Sequence, residues 1–462
     1  MVFSSITFLF IYLPIVLALY FITPLKARNI VLFLVSLLFY AWGEPKFVII
    51  MLAVIFINWL SGILIGSINN HQKEKLILVI TLIIDLGLLG FFKYAGFIIN
   101  NLNLLLGLHL QQLDIELPIG ISFYIFQAMT YPIDLYKKEI LPQKSFVNFG
   151  TYVSMFPQLI AGPIVRYSDI EPQLTDRKIT ENSFADGITR FVCGLCKKVL
   201  LANTIGSIST SISSLPSNET TVVSSWLVSI CFMFQLYFDF SGYSDMAIGL
   251  GKMLGFDFKE NFNYPFIAQS VTDFWRRWHI SLSSFFKDYV YIPLGGNQRG
   301  LPRQFLNIII VWFLTGLWHG ASWNFALWGL INGLLLIMEK LFLLKILKKA
   351  PHVIRHLYTM IVIVIAFVFF NFTDLSQALS FLSAMFGSTG KFINSAALYY
   401  LRDNFLLIIT CFIASTPMLK HLKIKDSRIY QALSPALIIA GLVASTAYII
   451  SSTYNPFLYF RF

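Results

Sequence analysis

Long apolar runs separated by short clusters of basic residues form the main pattern of this 462-residue sequence. Several runs approach the roughly 20 residues that a helix needs to cross the hydrocarbon core of a bilayer. The pattern predicts an all-α, polytopic membrane helical bundle. We predict spans near 5–22, 30–42, 47–68, 76–92, 117–136, 222–236, 357–372, 405–418 and 432–450.

The basic clusters predict the orientation of these spans. Lys and Arg concentrate in the short loops on the cytoplasmic side of a membrane protein. Clusters within 26–28, 73–75, 340–355 and 420–428 therefore mark inner loops, which places the N-terminus and the C-terminus outside. The whole chain, residues 1–462, is then one integral membrane domain, with an aromatic tail at 451–462 on the outer side.

Composition agrees with this class and excludes others. Hydrophobic residues make up 57% of the chain and charged residues only 12%, against roughly 25% charged residues in soluble domains. The net charge of +11 does not indicate a nucleic-acid partner, because the basic residues lie between apolar runs. Cys193 and Cys196 have redox spacing, but they lie in an apolar helical stretch and we interpret them as structural.

Some segments depart from simple spans. Residues 146–165 contain Pro157 and Pro163, which interrupt a helix. Broken backbone at membrane depth is tolerated where it is buried in protein or lines a cavity. Residues 184–208 are amphipathic, which is typical of a helix on the inner surface.

Two further segments are candidates for the functional region. Residues 262–300 combine basic and aromatic side chains, which suits a re-entrant or interfacial element on the cytoplasmic side. Residues 237–245 are aromatic, acidic and rich in hydroxyls within a hydrophobic protein. We predict that Asp239 and Tyr243 in this segment line a cavity.

His319 lies between the apolar runs 305–317 and 325–338. It follows Arg303 by 16 positions, or roughly 24 Å of helix, within a hydrocarbon core roughly 30 Å thick. The imidazole therefore lies inside the membrane, displaced toward the outer side. Trp318 and Trp323 are expected to wall the site and exclude water.

A titratable group at membrane depth indicates a functional site. A buried imidazole can exchange protons near neutral pH, which suits a general base acting on a hydroxyl. A structural histidine bonded between helices is an equal alternative for His319. For His279, which follows two arginines and Trp278, the residues alone favour a surface loop.

Three cations near His279 have two interpretations. Arg276, Arg277 and Lys287 can pair with the phosphates of a cytoplasmic donor, to which arginine gives bidentate contacts. They can equally attract anionic lipid headgroups. The residues alone do not separate these alternatives.

Five segments together resemble the membrane-bound O-acyltransferase family, in its bacterial alginate O-acetylation branch. They are LPIGISFY (117–124), PQLIAGPIVR (157–166), DFWRRWHISLS (273–283), DYVYIPLGGN (288–297) and TGLWHGASW (315–323). The resemblance implies a central catalytic chamber, with His319 as principal and His279 as second catalytic residue. It implies acetyl-CoA as the donor substrate, with no permanently bound cofactor and no metal.

The resemblance also implies where the protein works and with what. The expected location is the bacterial cytoplasmic (inner) membrane. The expected acceptor is an extracytoplasmic polysaccharide, reached through a secreted SGNH-type acetyltransferase partner. A polytopic transporter or flippase, and a membrane scaffold for a secreted acetyltransferase, remain alternatives to an enzyme.

The C-terminal tail carries a further resemblance. Phe457, Tyr459 and Phe462 match a Phe-x-Tyr-x-x-Phe motif of relatives that pass acyl groups across the membrane. This implies that Tyr459 is an acyl relay, which receives the acetyl group as an ester. An aromatic anchor at the membrane interface is the alternative.

Overall fold

The computed structural model describes residues 1–418, 428–452 and 454–458, and every regular element within them is helical. Seven helices are long and apolar enough to cross a membrane, or eight if the bent pair Ser395–Asp403 and Phe405–Ala414 forms one span. This confirms the prediction of an all-α, multi-pass membrane protein. The chain divides into two units, the first comprising 1–191 and 243–259 and the second 192–242 and 260–462.

The first unit contains the N-terminal helices. They are α1 Leu13–Ile22, α2 Arg28–Ala41, α3 Val48–Ser67, α4 His71–Leu89, α5 Ala95–Leu106, α6 Ile121–Tyr136, α7 Phe146–Ser154, α8 Phe156–Leu159, α9 Tyr167–Thr175 and the start of α10 Glu181–Cys196.

Most helices of the second unit follow residue 260. After the end of α10 come α11 Asn203–Ser213, α12 Val222–Met253 (to residue 242), α13 Val271–Arg277, α14 Ile280–Phe286, α15 Gly300–His319, α16 Trp323–Met338, α17 Leu344–Lys349, α18 His352–Asn371, α19 Leu375–Met385, α20 Ser395–Asp403, α21 Phe405–Ala414 and α22 Arg428–Ser451.

The first unit contains the predicted interruption between residues 146 and 165. α7 ends at Ser154, and α8 begins at Phe156 with a proline in its first turn. At Gly162 an added Cβ would lie 2.4 Å from the Cα of Gln158, so the chain can turn there only because the residue is glycine. The prediction that the helix is interrupted in this segment is confirmed.

Two helices are longer than the sequence pattern indicates. α12 continues through 237–245, where we expected the span to have ended. Helical structure also runs through 181–213, a 33-residue segment long enough to cross the membrane, whereas we expected a surface helix. The apolar windows of these helices are 78% and 61% buried within the protein. Polar residues on such a helix find protein partners, so they do not end it.

α15 and α16 form the close-packed hairpin that carries His319. An added Cβ at Gly316 would lie 2.2 Å from the Phe325 carbonyl oxygen, and one at Gly329 equally close to that of Trp312. The two backbones therefore touch where these glycines face each other. Small residues allow this close approach between membrane helices.

Candidate active site

A cavity of about 240 Å³ lies in the second unit and contains both predicted histidines. α13, α14, α15, α16 and the segment after α14 supply its walls. Its lining is mainly aromatic and aliphatic, with a few polar groups at the surface. Its lining includes Trp275, Arg276, Trp278, His279, Lys287, Tyr291, Trp312, His319 and Trp328.

His319 is the last residue of α15, and its position depends on how that helix ends. Gly320 is extended, with φ −175° and ψ 152°, so the chain leaves the helical path directly after the histidine. The buried imidazole makes edge contacts with Trp328 and Phe370, at ring-centroid distances of 5.3 and 5.1 Å. Aromatic rings on these sides keep bulk water from the group.

His279 lies in the two-residue break between α13 and α14, directly after Trp278, with φ +46° and ψ 53°. This left-handed conformation is unfavourable for a residue with a Cβ and usually persists at functional sites. Its Nδ1 lies 3.2 Å from the Oδ1 of Asn261. That oxygen also accepts hydrogen bonds from the backbone N–H and the hydroxyl of Ser281.

These contacts define the state of the His279 ring. Because Asn261 Oδ1 only accepts hydrogen bonds, Nδ1 of His279 carries the proton, and Nε2 is an acceptor. Burial lowers the pKa of His279 to about 3, so the ring is neutral at physiological pH. Its centroid lies 6.4 Å from that of His319. The structure therefore brings the two histidines, 40 positions apart in the sequence, into one site.

A buried carboxylate after α16 holds the start of α13. Glu339 accepts hydrogen bonds from the N–H of Val271 at 2.6 Å, the N–H of Thr272 at 2.9 Å and the Thr272 hydroxyl at 2.6 Å. The carboxylate thereby bonds to backbone N–H groups at the N-terminus of α13 that have no partner within the helix. Its negative charge also interacts favourably with the helix dipole at that end. Earlier in the chain, within α16, the Asn332 side chain accepts a hydrogen bond from Trp275 Nε1 at 3.0 Å.

The predicted cations separate into two groups. Arg276 and Lys287 are exposed and line the cavity, where they can meet an anionic ligand. Arg277 is not among the lining residues. It forms an ion pair with Asp273 at 2.8 Å and donates to the Asn263 carbonyl. Only two of the three are therefore available to the cavity.

The predicted lining residues are placed in several different environments. Trp318 is buried beside the site, with its ring centroid 5.9 Å from that of His279. Trp323 begins α16 and is 56% exposed, so it does not wall this cavity. Asp239 does not line it either, because it pairs with Lys198 at 2.7 Å.

Tyr243 does not line this cavity. Tyr243 belongs to the first unit, where its ring stacks on Phe3 at 4.6 Å. Tyr459 lies outside the described residues. Sequence reasoning also missed Asn261, Asn332 and Glu339. Glu339 directly follows an apolar run and precedes the basic cluster at 340–355, so no local pattern marks it as part of a site.

Comparisons with known proteins agree with the resemblance. Residues 135–384 match the model of the membrane-bound O-acyltransferase family. A probable alginate O-acetylase of Azotobacter vinelandii is 41% identical over 391 residues, which cover 84% of this chain and 78% of that protein. One of Pseudomonas putida is 37% identical over the full length of both chains.

A further relative is named for a different polymer. The peptidoglycan O-acetyltransferase of Helicobacter pylori is 35% identical over 425 residues, which cover 84% of this chain and 80% of that protein. Relatives that share the family therefore differ in the polymer for which they are named. The helical fold, the cavity with its two histidines and these comparisons agree, and the chain belongs to the membrane-bound O-acyltransferase family.

Proposed function

We propose that this protein takes acetyl groups from acetyl-CoA in the cytoplasm and supplies them, across the bacterial inner membrane, for O-acetylation of an extracytoplasmic polysaccharide. The observation that carries the proposal is one cavity containing His319, His279 and two exposed cations. The relatives named as alginate O-acetylases and a peptidoglycan O-acetyltransferase support acetyl as the group and a polysaccharide as the acceptor.

In the proposed reaction His319 is the general base. It removes the proton from a hydroxyl of the acceptor as the oxygen attacks the thioester carbonyl carbon. The new C–O ester bond forms, the C–S bond breaks, and the thiolate of CoA takes the proton from the imidazolium. His279, neutral and fixed by Asn261, orients the reacting group through Nε2. Aromatic walls keep water from competing for the acetyl group.

Arg276 and Lys287 are the proposed contacts for the phosphates of the donor. Both are exposed at the cavity, and charge-assisted contacts to phosphate are strong. The positive-inside pattern favours a cytoplasmic position for this region, and it favours both termini outside. Under this proposal acetyl-CoA binds as a substrate and leaves as CoA.

We also propose that Tyr459 is the first acceptor. Its hydroxyl would lose a proton to His319 and take the acetyl group as a phenolic ester. A second transfer would regenerate the tyrosine and pass the group to an extracytoplasmic SGNH-type partner and then to the polysaccharide. The motif in the tail supports this step.

The function is tested with purified protein and labelled acetyl-CoA, by measuring transfer of the labelled acetyl group to the protein and to the acceptor. Because a general base contributes about 10²- to 10⁴-fold, His319→Ala should lower transfer by that amount. His352→Ala is the control, since His352 is exposed and bonds to Gln269. Transport of substrate that survives His319→Ala would support a transporter. Polymer acetylation that survives it in cells would support a scaffold.

The relay has its own test. Tyr459→Phe keeps an aromatic anchor and removes the hydroxyl, so acetylation of polymer in cells should be lost. Tyr399→Phe is the matched control, because Tyr399 is 61% exposed on α20. Normal polymer acetylation by Tyr459→Phe would disprove the relay without touching the role of His319.

A further inference from the structure

A buried ion pair in the second unit contacts the C-terminal segment of the chain. Lys198 Nζ lies 2.7 Å from Asp239 Oδ1, and the two side chains are only 3% and 2% exposed. Removing both charges from water is costly, so the remaining donors and acceptors of such a pair need partners. Here the backbone of residues 456–458 supplies two of them.

Each charge of the pair holds one backbone group of this segment. The ammonium of Lys198 donates to the Pro456 carbonyl oxygen and to Asn203 Oδ1 at 2.8 Å. On the other side, the N–H of Leu458 donates to Asp239 Oδ2 at 2.8 Å. The segment is therefore held at two points through its main chain by groups that are themselves paired.

Side chains of the segment add further contacts. Asn203 donates to the Asn455 amide oxygen at 3.1 Å, and Gln235 donates to the Tyr454 hydroxyl at 3.2 Å. Phe457 and Leu458 are 8% and 2% exposed. These two side chains are buried, and the Pro456 carbonyl and the Leu458 N–H are hydrogen-bonded. The segment is therefore docked on the protein and is not frayed.

The docking point is next to the candidate site along α12. Asp239 precedes Phe240, whose ring makes an edge contact with His279 at a centroid distance of 4.6 Å. Leu458 thus bonds to a residue adjacent to one that packs on a proposed catalytic histidine. The docked segment and the reaction cavity are connected through two consecutive residues.

We propose that Lys198 and Asp239 form a latch that docks residues 454–458 and so positions the C-terminal tail for acetyl transfer. The two are positioning residues that act through the tail. Docking follows from the contacts alone, whereas its importance for transfer rests on the proposed function.

Hydrogen–deuterium exchange of full-length protein, read by mass spectrometry on the C-terminal peptide, tests the docking. The variant Lys198→Met/Asp239→Leu removes both charges, so it leaves no buried unpaired ion and should fold. Loss of hydrogen bonds to two charged groups should speed exchange at Leu458 by about a hundredfold. The matched control is Arg190→Met/Asp245→Leu, an ion pair at 2.8 Å in the first unit.

The outcomes separate docking from function. Unchanged exchange at Leu458 in the latch variant would overturn the docking, whatever the transfer assay shows. If exchange rises, labelled acetyl transfer to the acceptor should fall by about tenfold or more, while hydrolysis of acetyl-CoA by the same variant stays near the wild-type rate. Released tail with undiminished transfer would overturn the positioning role. Loss of hydrolysis and transfer together would also overturn it, because the cavity itself would then be damaged.

Discussion

Glu339 offers the sharpest test of how the site is held together, because it is buried, does not line the cavity itself and bonds to the start of α13, which does. The substitution Glu339→Gln keeps the size of the side chain and removes its charge. The amide oxygen can replace one carboxylate oxygen, but the NH₂ group must occupy the place of the other. If the oxygen stays with the N–H of Val271, the NH₂ group faces the N–H and hydroxyl of Thr272, which are now donors to Oε2.

The magnitude follows from the number of hydrogen bonds. A hydrogen bond to a charged group contributes about 1.5–3 kcal/mol. The substitution removes the bond from the Thr272 N–H and weakens that from the Val271 N–H, while the Thr272 hydroxyl can turn to accept from the NH₂ group. We expect the free energy of unfolding to fall by roughly 2–4 kcal/mol, with most of the loss at the start of α13. Because only Trp278 separates the end of α13 from His279, a shift of about 1 Å there can lower the rate by about a hundredfold.

The assay compares acetyl transfer with thermal stability in detergent. The control is Glu74→Gln, which removes another buried carboxylate, paired with Lys138 at 2.9 Å in the first unit. Both variants should unfold at lower temperature, but only Glu339→Gln should lose kcat/KM beyond the loss of folded protein. Equal stability losses with wild-type kcat/KM in both would refute the positioning role of Glu339.

Three further outcomes test other parts of the structure. Arg276→Gln should raise the KM for acetyl-CoA about tenfold through loss of a charged contact. Arg277→Gln should change this KM little, because Arg277 pairs with Asp273 and does not line the cavity. The pKa of His279 is about 3 in the folded protein and 6.5 ordinarily. Between these pH values the unfolded state binds more protons, so the free energy of unfolding should fall as the pH drops below 6.5. In His279→Asn the melting temperature should depend less on pH in this range. Gly329→Ala should lower the melting temperature by forcing α15 and α16 apart at a 2.2 Å contact, at a cost of roughly 1–3 kcal/mol, while Gly87→Ala, with open space around it, should not.

The class of fold was predictable because it depends on composition and on the length of apolar runs. The break between α7 and α8 was predictable because proline removes a backbone donor wherever it occurs. The extent of α12 was not, since its polar residues read as the end of a span. Inside a protein such residues can bond to neighbouring elements, as Asp239 does to Lys198, and the helix continues.

The residues that position the site were hidden for a related reason. Asn261 and Glu339 act on residues 18 and 68 positions away, respectively. No local period or motif in the sequence connects a carboxylate after an apolar run with the N-terminus of a distant short helix. Candidate catalytic side chains stand out by their chemistry in an apolar context, but their supports are ordinary polar residues whose role depends on the tertiary fold.

The glycine contact between α15 and α16 also contributes to the precision of the site. A helix that slips by one residue rotates by about 100° and moves by about 1.5 Å along its axis, which would turn His319 away from His279. Gly316 and Gly329 allow the two backbones to touch at one place, and any slip would put bulkier residues at that contact. The register of α15, and with it the direction of the His319 ring, is therefore set three residues before the histidine. Loss of stability and loss of transfer should accordingly appear together in Gly329→Ala.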